Sequence, residues 1–332
     1  MAPDPSTAQL VLVRNLRDRS DTRQQHSRAA QRGAEVRVAR GVYVDRAEWE
    51  ALDGLQRYLL RIRAAAATRE RPPVFSHWSA AALHGLSMVG LPPSAIHVSV
   101  GRSTGGRSSA SLVAHSLEVA DEDVVERDGL LCTSPERTVV DLAAIAPTGA
   151  AVALADHLLH ERFGRFGGCS HRGSRDALLT AWNRAQPMRG HRRSLDVIEF
   201  ADGRAESPLE SVSRVAMHVA GLPRPELQTA FHDAAGLIGY ADFAWPEFGL
   251  VGEADGDAKY LDPALRGGRS AERVVLDEKI REDRLRALGL RVVRWRWPAA
   301  TTPGALATAL SAAGLPLGSR DSRATRSVCG LL

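Results

Sequence analysis

The chain has 332 residues, 44% hydrophobic and 25% charged, which is the composition of globular domains, and it is too long for one ordinary compact core, so two or three domains are expected. No apolar run approaches the roughly 20 residues that span a bilayer, and the N-terminus lacks the basic segment, apolar stretch and small-residue cleavage site of a secretory leader, which points to a cytoplasmic protein without a membrane span. A net charge of +4 and a pI near 9.3 permit a polyanion partner without requiring one, while Cys132, Cys169 and Cys329 lie too far apart for a disulfide framework or a zinc site.

Residues 7 to 46 read as short helices, QLVLVRNL and SRAAQRGAE, followed by a small hairpin, VRVARGVYV, turning at Arg40-Gly41. A helical pair closed by a hairpin is the outline of a winged helix-turn-helix, in which Arg37 and Arg40 on the wing would touch DNA backbone; a structural cap without DNA contact fits the same outline. Fourteen arginines against nine acids in residues 1–71, and eight against one in residues 162–193, mark where a polyanion contact is expected, a solvated arginine-rich linker being the other reading of the second stretch.

One helix from Ala47 to about Ala67 leads to SHWSAAALHGL, with Ser76 as its cap and Ala80, Leu83 and Leu86 inward. His77 and His84 share one helical face and read as core or capping histidines. The runs AIHVSV and LVAHSLEVA read as strands. In TSPERTVVDLA, Thr133 or Ser134 caps a helix on which Arg137 and Asp141 are spaced for an ion pair. AVALADHLLH and DALLTAWNRA are further helices, the second inside the basic linker, and a domain boundary is expected near 195–205.

From Ser207 the order of elements is legible. SPLESVSRVAMHVAGL is a helix with a serine cap, proline in its first turn and a glycine stop. PELQTAFHD, LIGYADFAW and GLVGEADG are strands, AERVVLDEKIREDRLRALG is a helix with Leu276, Ile280, Leu285 and Leu288 inward, and RVVRWRW is a last strand. Helix, three strands, helix, strand is the core order of the PD-(D/E)XK restriction-endonuclease-like fold. The chain is therefore expected to be an α+β (α/β) multidomain protein with a winged helix-turn-helix over 1–72, an α/β middle region and basic linker over 73–195, an endonuclease-like domain over 200–300 and a C-terminal tail over 301–332.

The chemistry is concentrated in Tyr240–Tyr260. Residues two apart in a strand share a face, so Glu253 and Asp255 point together and a neighbouring antiparallel strand can set Asp242 opposite them. Carboxylates this close repel unless a cation neutralises them, and Mg2+ (or Mn2+), a hard ion that takes oxygen ligands and keeps several waters, is the natural occupant. Of the 43 basic residues only Lys259 and Lys279 are lysine, and both lie in this region. Lys259 is placed to stabilise a phosphorane, and Glu210 either orients a water from the first helix or completes a capping box with Ser207. Asp255 can serve as a ligand or as the turn entry before Gly256. Lys279 reads as a surface ion pair with Glu282 or Asp283, and Arg281, Arg284 and Arg294 as phosphate contacts.

Two resemblances rest on these motifs. With ESVSR, DFAW, GEADG followed by KY, and EKIREDRLRALGLRVVRW, residues 204–298 resemble bacterial domains related to the very short patch repair endonuclease, a branch of the PD-(D/E)XK superfamily. With RGVYV, SHWSAAALHGL and TSPERTVVDLA, the front of the chain resembles AbiEi-type antitoxin proteins, which begin with a winged helix-turn-helix. The first resemblance implies a metal-dependent DNA endonuclease or nickase. The second implies a DNA-binding antitoxin or repressor with a cognate toxin as partner. One departure matters: Glu253-Ala254-Asp255 places an acid where the superfamily triplet has lysine, so the lysine role falls to Lys259 or Lys279.

Overall fold

The computed structural model describes residues 10–12, 19–70, 73–101, 108–160, 173–256 and 271–318, and these form a mixed α+β protein of two compact units. The first unit takes residues 1–142, 164–170 and 176–191, and the second the remainder, the boundary falling inside a helix after Leu142. None of the described helices is long and apolar enough to cross a membrane.

The first unit opens with strand β1 (Val11–Leu12), helix α1 (Arg19–Gln31), strands β2 (Glu35–Ala39) and β3 (Val42–Asp45), and helices α2 (Arg46–Ala51) and α3 (Gly54–Ala67). β2 and β3 form the expected hairpin, with Gly41 at φ +74° in the turn, where a side chain is disfavoured. The QLVLVRNL helix is not formed at Val11–Leu12, which instead pairs with Tyr43 and Val42 as the third strand of the sheet, where β-branched Val11 suits a pleated surface. The single helix expected over 47–67 is two: Asp53 and Gln56 cap each other reciprocally and start α3 afresh. α3 then serves two cores, Leu60 packing with Val44 and Leu52, and Tyr58 and Ile62 packing with Phe75, Ile96 and Cys132.

The second core underlies a five-stranded sheet ordered β6-β5-β4-β8-β7, built from β4 (Val74–Phe75), β5 (Ile96–Val100), β6 (Leu112–Ser116), β7 (Val124–Arg127) and β8 (Leu130–Thr133). α4 (His77–Leu83) buries Ala80, Leu83 and the following Leu86 as expected. Its histidines are both buried: His84 donates from Nε2 to the Thr133 carbonyl at 2.7 Å, and His77 stacks at 3.5 Å on His115, a ring that the sequence places 38 residues away. On α5 (Pro135–Ile145), capped by Ser134, Arg137 binds Asp141 at 2.9 Å and Asp123 at 3.4 Å, all three side chains almost wholly buried.

α6 (Thr148–Leu159) belongs to the second unit. α7 (Arg175–Arg184) lies in the basic stretch as expected. α8 (His191–Phe200) occupies residues anticipated as an inter-domain boundary and buries Val197 and Ile198. Then come α9 (Pro208–Val219), β9 (Glu226–Asp233), β10 (Gly236–Trp245), β11 (Leu250–Ala254), α10 (Ala271–Ala287), β12 (Arg291–Trp295), α11 (Trp297–Thr301) and α12 (Ala305–Ala312), the last inside the expected tail. The sheet runs β12-β11-β10-β9, antiparallel except for the β11/β12 pair. Gly252 must be glycine, because a Cβ there would lie 2.6 Å from the Trp295 ring. Of the four residues expected inward, Leu285 is buried while Leu276, Ile280 and Leu288 are about half exposed, and Arg281 and Arg284 meet the sheet through ion pairs with Glu253 and Asp233.

The ESVSR run of α9 has a structural reading residue by residue. Ser211 and Arg214 both donate to Asp156 on α6, at 2.8 and 2.6 Å, and Ser213 accepts from the Trp295 indole at 2.8 Å. Asp156 also accepts from the Asp202 amide at 2.6 Å, and Arg214 from its other nitrogen reaches the Phe200 carbonyl at 2.8 Å. Asp156 and Arg214 are both buried. We expect Asp156→Ala to cost about 3–5 kcal/mol by stranding the guanidinium, against a much smaller loss in the double variant Asp156→Leu/Arg214→Met; urea unfolding checks both, and equal losses would refute the pairing account.

Candidate active site

Four elements of the second unit bring polar side chains together. In the antiparallel register Phe243 pairs with Gly252 and Leu227, and Ala241 with Thr229, so Asp242 on β10 lies between Glu253 of β11 and Gln228 of β9 on one face of the sheet. Glu210 enters from the first turn of α9. Glu210 and Glu253 are 4% exposed and Asp242 8%, a degree of burial that carboxylates show only when partnered.

Asp242 accepts the Ala254 amide on Oδ2 at 2.8 Å, and Gln228 Nε2 approaches its Oδ1 at 3.5 Å. Glu210 accepts from Ser207 Oγ at 2.7 Å, from the Glu206 amide at 2.9 Å and from Gln228 Nε2 at 3.2 Å. Ser207 caps α9 by accepting the Glu210 amide, while the Glu210 carboxylate takes the Ser207 hydroxyl and the Glu206 amide rather than the Ser207 amide that a capping box requires. Glu253 Oε2 binds Arg281 at 2.9 Å, while its Oε1 is buried and has no hydrogen-bond partner among the described residues. Burial, reinforced by the charge of Asp242, pushes both Glu210 and Glu253 up to about 7.

The expected ligand trio of Asp242, Glu253 and Asp255 does not assemble. Asp255 lies past the end of β11 and is clasped by Arg294 at 2.8 and 3.2 Å, and among the described residues no group of three His, Cys, Asp or Glu is arranged to hold a metal ion. The arginines expected on phosphate are likewise engaged within the protein. Arg281 bridges Glu253 and Glu278, Arg294 bridges Asp255, Glu278 and Glu282, and Arg284 grips Asp233 at 2.7 and 2.6 Å. Glu282, expected beside Lys279, pairs instead with Arg294 and Arg286, and Lys279 stands exposed. Lys259 lies outside the described residues. Arg37 and Arg40 are exposed on the β2–β3 hairpin of the first unit.

Gln228 is the site residue that reading the sequence missed. Nothing in PELQTAFHD marks it, since a glutamine in a half-exposed strand is unremarked unless the register opposite Asp242 is known.

Two uncharacterized proteins, from two strains of Mycobacterium tuberculosis, are each 33% identical to this chain over 165 residues, which is 50% of this chain and 54% of theirs. The chain therefore spans about half the length of the curated relatives it matches. No protein-family model matches the chain, and no solved structure does.

A carboxyl whose pKa is raised on folding keeps a proton that the unfolded chain releases, so its contribution to stability is present below about pH 4.5 and lost as pH rises through about 7. Glu253→Gln is accordingly expected to melt roughly 2–6 °C above the wild type at about pH 8, with the difference vanishing towards pH 4.5. A difference independent of pH would show that Glu253 titrates as an ordinary surface carboxyl.

Proposed function

We propose that the second unit is a metal-dependent phosphodiesterase domain of the PD-(D/E)XK type, a DNA endonuclease or nickase, and that the exposed arginines of the first unit's hairpin, Arg37 and Arg40, contact the DNA backbone. The observation that carries this reading is the buried Oε1 of Glu253, without a hydrogen-bond partner among the described residues, on the face it shares with Asp242. A buried acid oxygen without a donor beside two further carboxyls is one that a bound cation would satisfy.

The donor set suits Mg2+ or Mn2+ better than softer metals, being all carboxylate oxygen, and two protein carboxylates suffice for an ion that takes its remaining ligands from water and phosphate. Asp242 and Glu253 would hold it, and Asp255, already bound by Arg294, drops out of the expected set. Such an ion, when bound, supplies an activated water and offsets the charge that develops on the leaving oxygen. Glu210, pushed up to about 7, is poised near neutrality to orient an attacking water and take its proton. In this reading Arg281 holds Glu253 from the α10 side and offers a cation close to where a phosphate would lie.

A second reading is favoured by a different observation. Arg281 on Glu253 and Arg294 on Asp255 already neutralise two of the three expected ligands, as an inert nuclease-like scaffold would allow. The protein would then be an AbiEi-like antitoxin or repressor that binds its own promoter, with a toxin as protein partner.

One experiment separates the two. With supercoiled plasmid and Mg2+ or Mn2+, the purified full chain is expected to nick, and Asp242→Ala to lower the rate by about two orders of magnitude. Nicking no faster than that variant, together with a salt-sensitive footprint on its own promoter, would establish the regulator instead.

A further inference from the structure

Resting on the metal-dependent reading, we infer that Gln228 is a positioning residue that sets Asp242 and Glu210 for the ion and its water, and that its backbone is held in a strained conformation for this purpose. Strand β9 is extended, yet Gln228 within it has φ +52°, in the left-handed region that a residue with a Cβ avoids. Strain of this kind persists where the surroundings over-determine it, commonly at functional sites. The register shows what the distortion accomplishes, since residues 227 and 229 keep their partners Phe243 and Ala241 while Gln228 between them turns its amide to two acids at once.

That amide sends one nitrogen towards Glu210 at 3.2 Å and Asp242 at 3.5 Å, and an amide nitrogen carries two hydrogens, one for each acid. The chemical type matters as much as the position. Elsewhere around the site acids are tied by Arg281, Arg284 and Arg294, each of which cancels a charge. Gln228 orients two carboxyls while leaving their charge intact, as a partner behind a metal ligand must if a cation is still to be attracted. Gln228 also lines a cavity of about 650 Å³ together with Arg175, Asp202 and Arg204, a lining that does not include Asp242, Glu210 or Glu253.

The test titrates Mn2+ calorimetrically into the full-length protein, with melting temperature measured alongside. Gln228→Gly relieves the left-handed backbone but loses the amide, so its melting temperature is expected to stay within about 2 °C of wild type while Mn2+ binding weakens by roughly 10-fold or more. Gln228→Asn tolerates the same backbone with an amide one methylene too short, and is expected to weaken binding as well, which keeps the test intact should the glycine variant fold badly. If wild type binds Mn2+ in an Asp242-dependent way and both variants bind equally tightly, Gln228 is merely structural and the inference is overturned while the metal site stands. If wild type itself shows no Asp242-dependent binding, the metal reading fails and the inference with it.

Discussion

The second unit is organised around the cost of burying carboxyl groups beside one another. Asp242, Glu210 and Glu253 come from three different elements and meet where water is largely excluded, and the charge of Asp242 makes ionising each of the other two harder. Such a cluster is unstable unless protons, arginines or a metal ion compensate it. The chain uses arginine on one side, through Arg281 of α10 on Glu253, and the uncharged amide of Gln228 on the other. The asymmetry leaves one Glu253 oxygen without a hydrogen-bond partner among the described residues, and the proposed cation site rests on that oxygen.

Much of the surrounding architecture follows from holding that pocket in place. α9 presents Glu210 at its first turn, where Ser207 caps it, and from its next turns fixes itself through Ser211 and Arg214 to Asp156 and through Ser213 to Trp295. α10 is fixed less by apolar packing than by ion pairs, since Arg281 and Arg284 also donate to the carbonyls of Tyr240 and Leu237 on β10. Its half-exposed leucines and isoleucine are the counterpart of that choice. In the first unit Arg137 plays a comparable part, bonding Asp123, Oδ1 of Asp141 and the Glu118 carbonyl from inside the protein.

How much of this was legible in the sequence depended on whether the signal was local. Caps, glycine stops and alternating strands are local, so the helix-strand-strand-strand-helix-strand order from Ser207 onward, and the burial of Asp242 and Glu253, could be read directly. Pairings at long range were not legible. Asp255 looked like a ligand because it shares a strand parity with Glu253, and only β12 running parallel to β11 brings Arg294 to claim it. Leu285 is buried as expected, but Leu276, Ile280 and Leu288 were misplaced for the same reason, as periodicity does not reveal that Arg281 and Arg284 reach the sheet as ion-pair partners. Asp156 carried a signal that went unread, a single acid inside the apolar run AVALADHLLH, which by itself demands a buried partner. At Val11–Leu12 the helix reading failed because a short apolar run has no length to separate helix from strand.

A cation-binding pocket rather than a merely neutralised acid cluster is the central claim, and diffraction tests it most directly. Crystals of the full chain grown near neutral pH and soaked in Mn2+ are expected to give an anomalous scattering peak within coordination distance of both Asp242 and Glu253. Mn2+-soaked crystals with no peak there, and with Arg281 still closed on Glu253, would contradict the account.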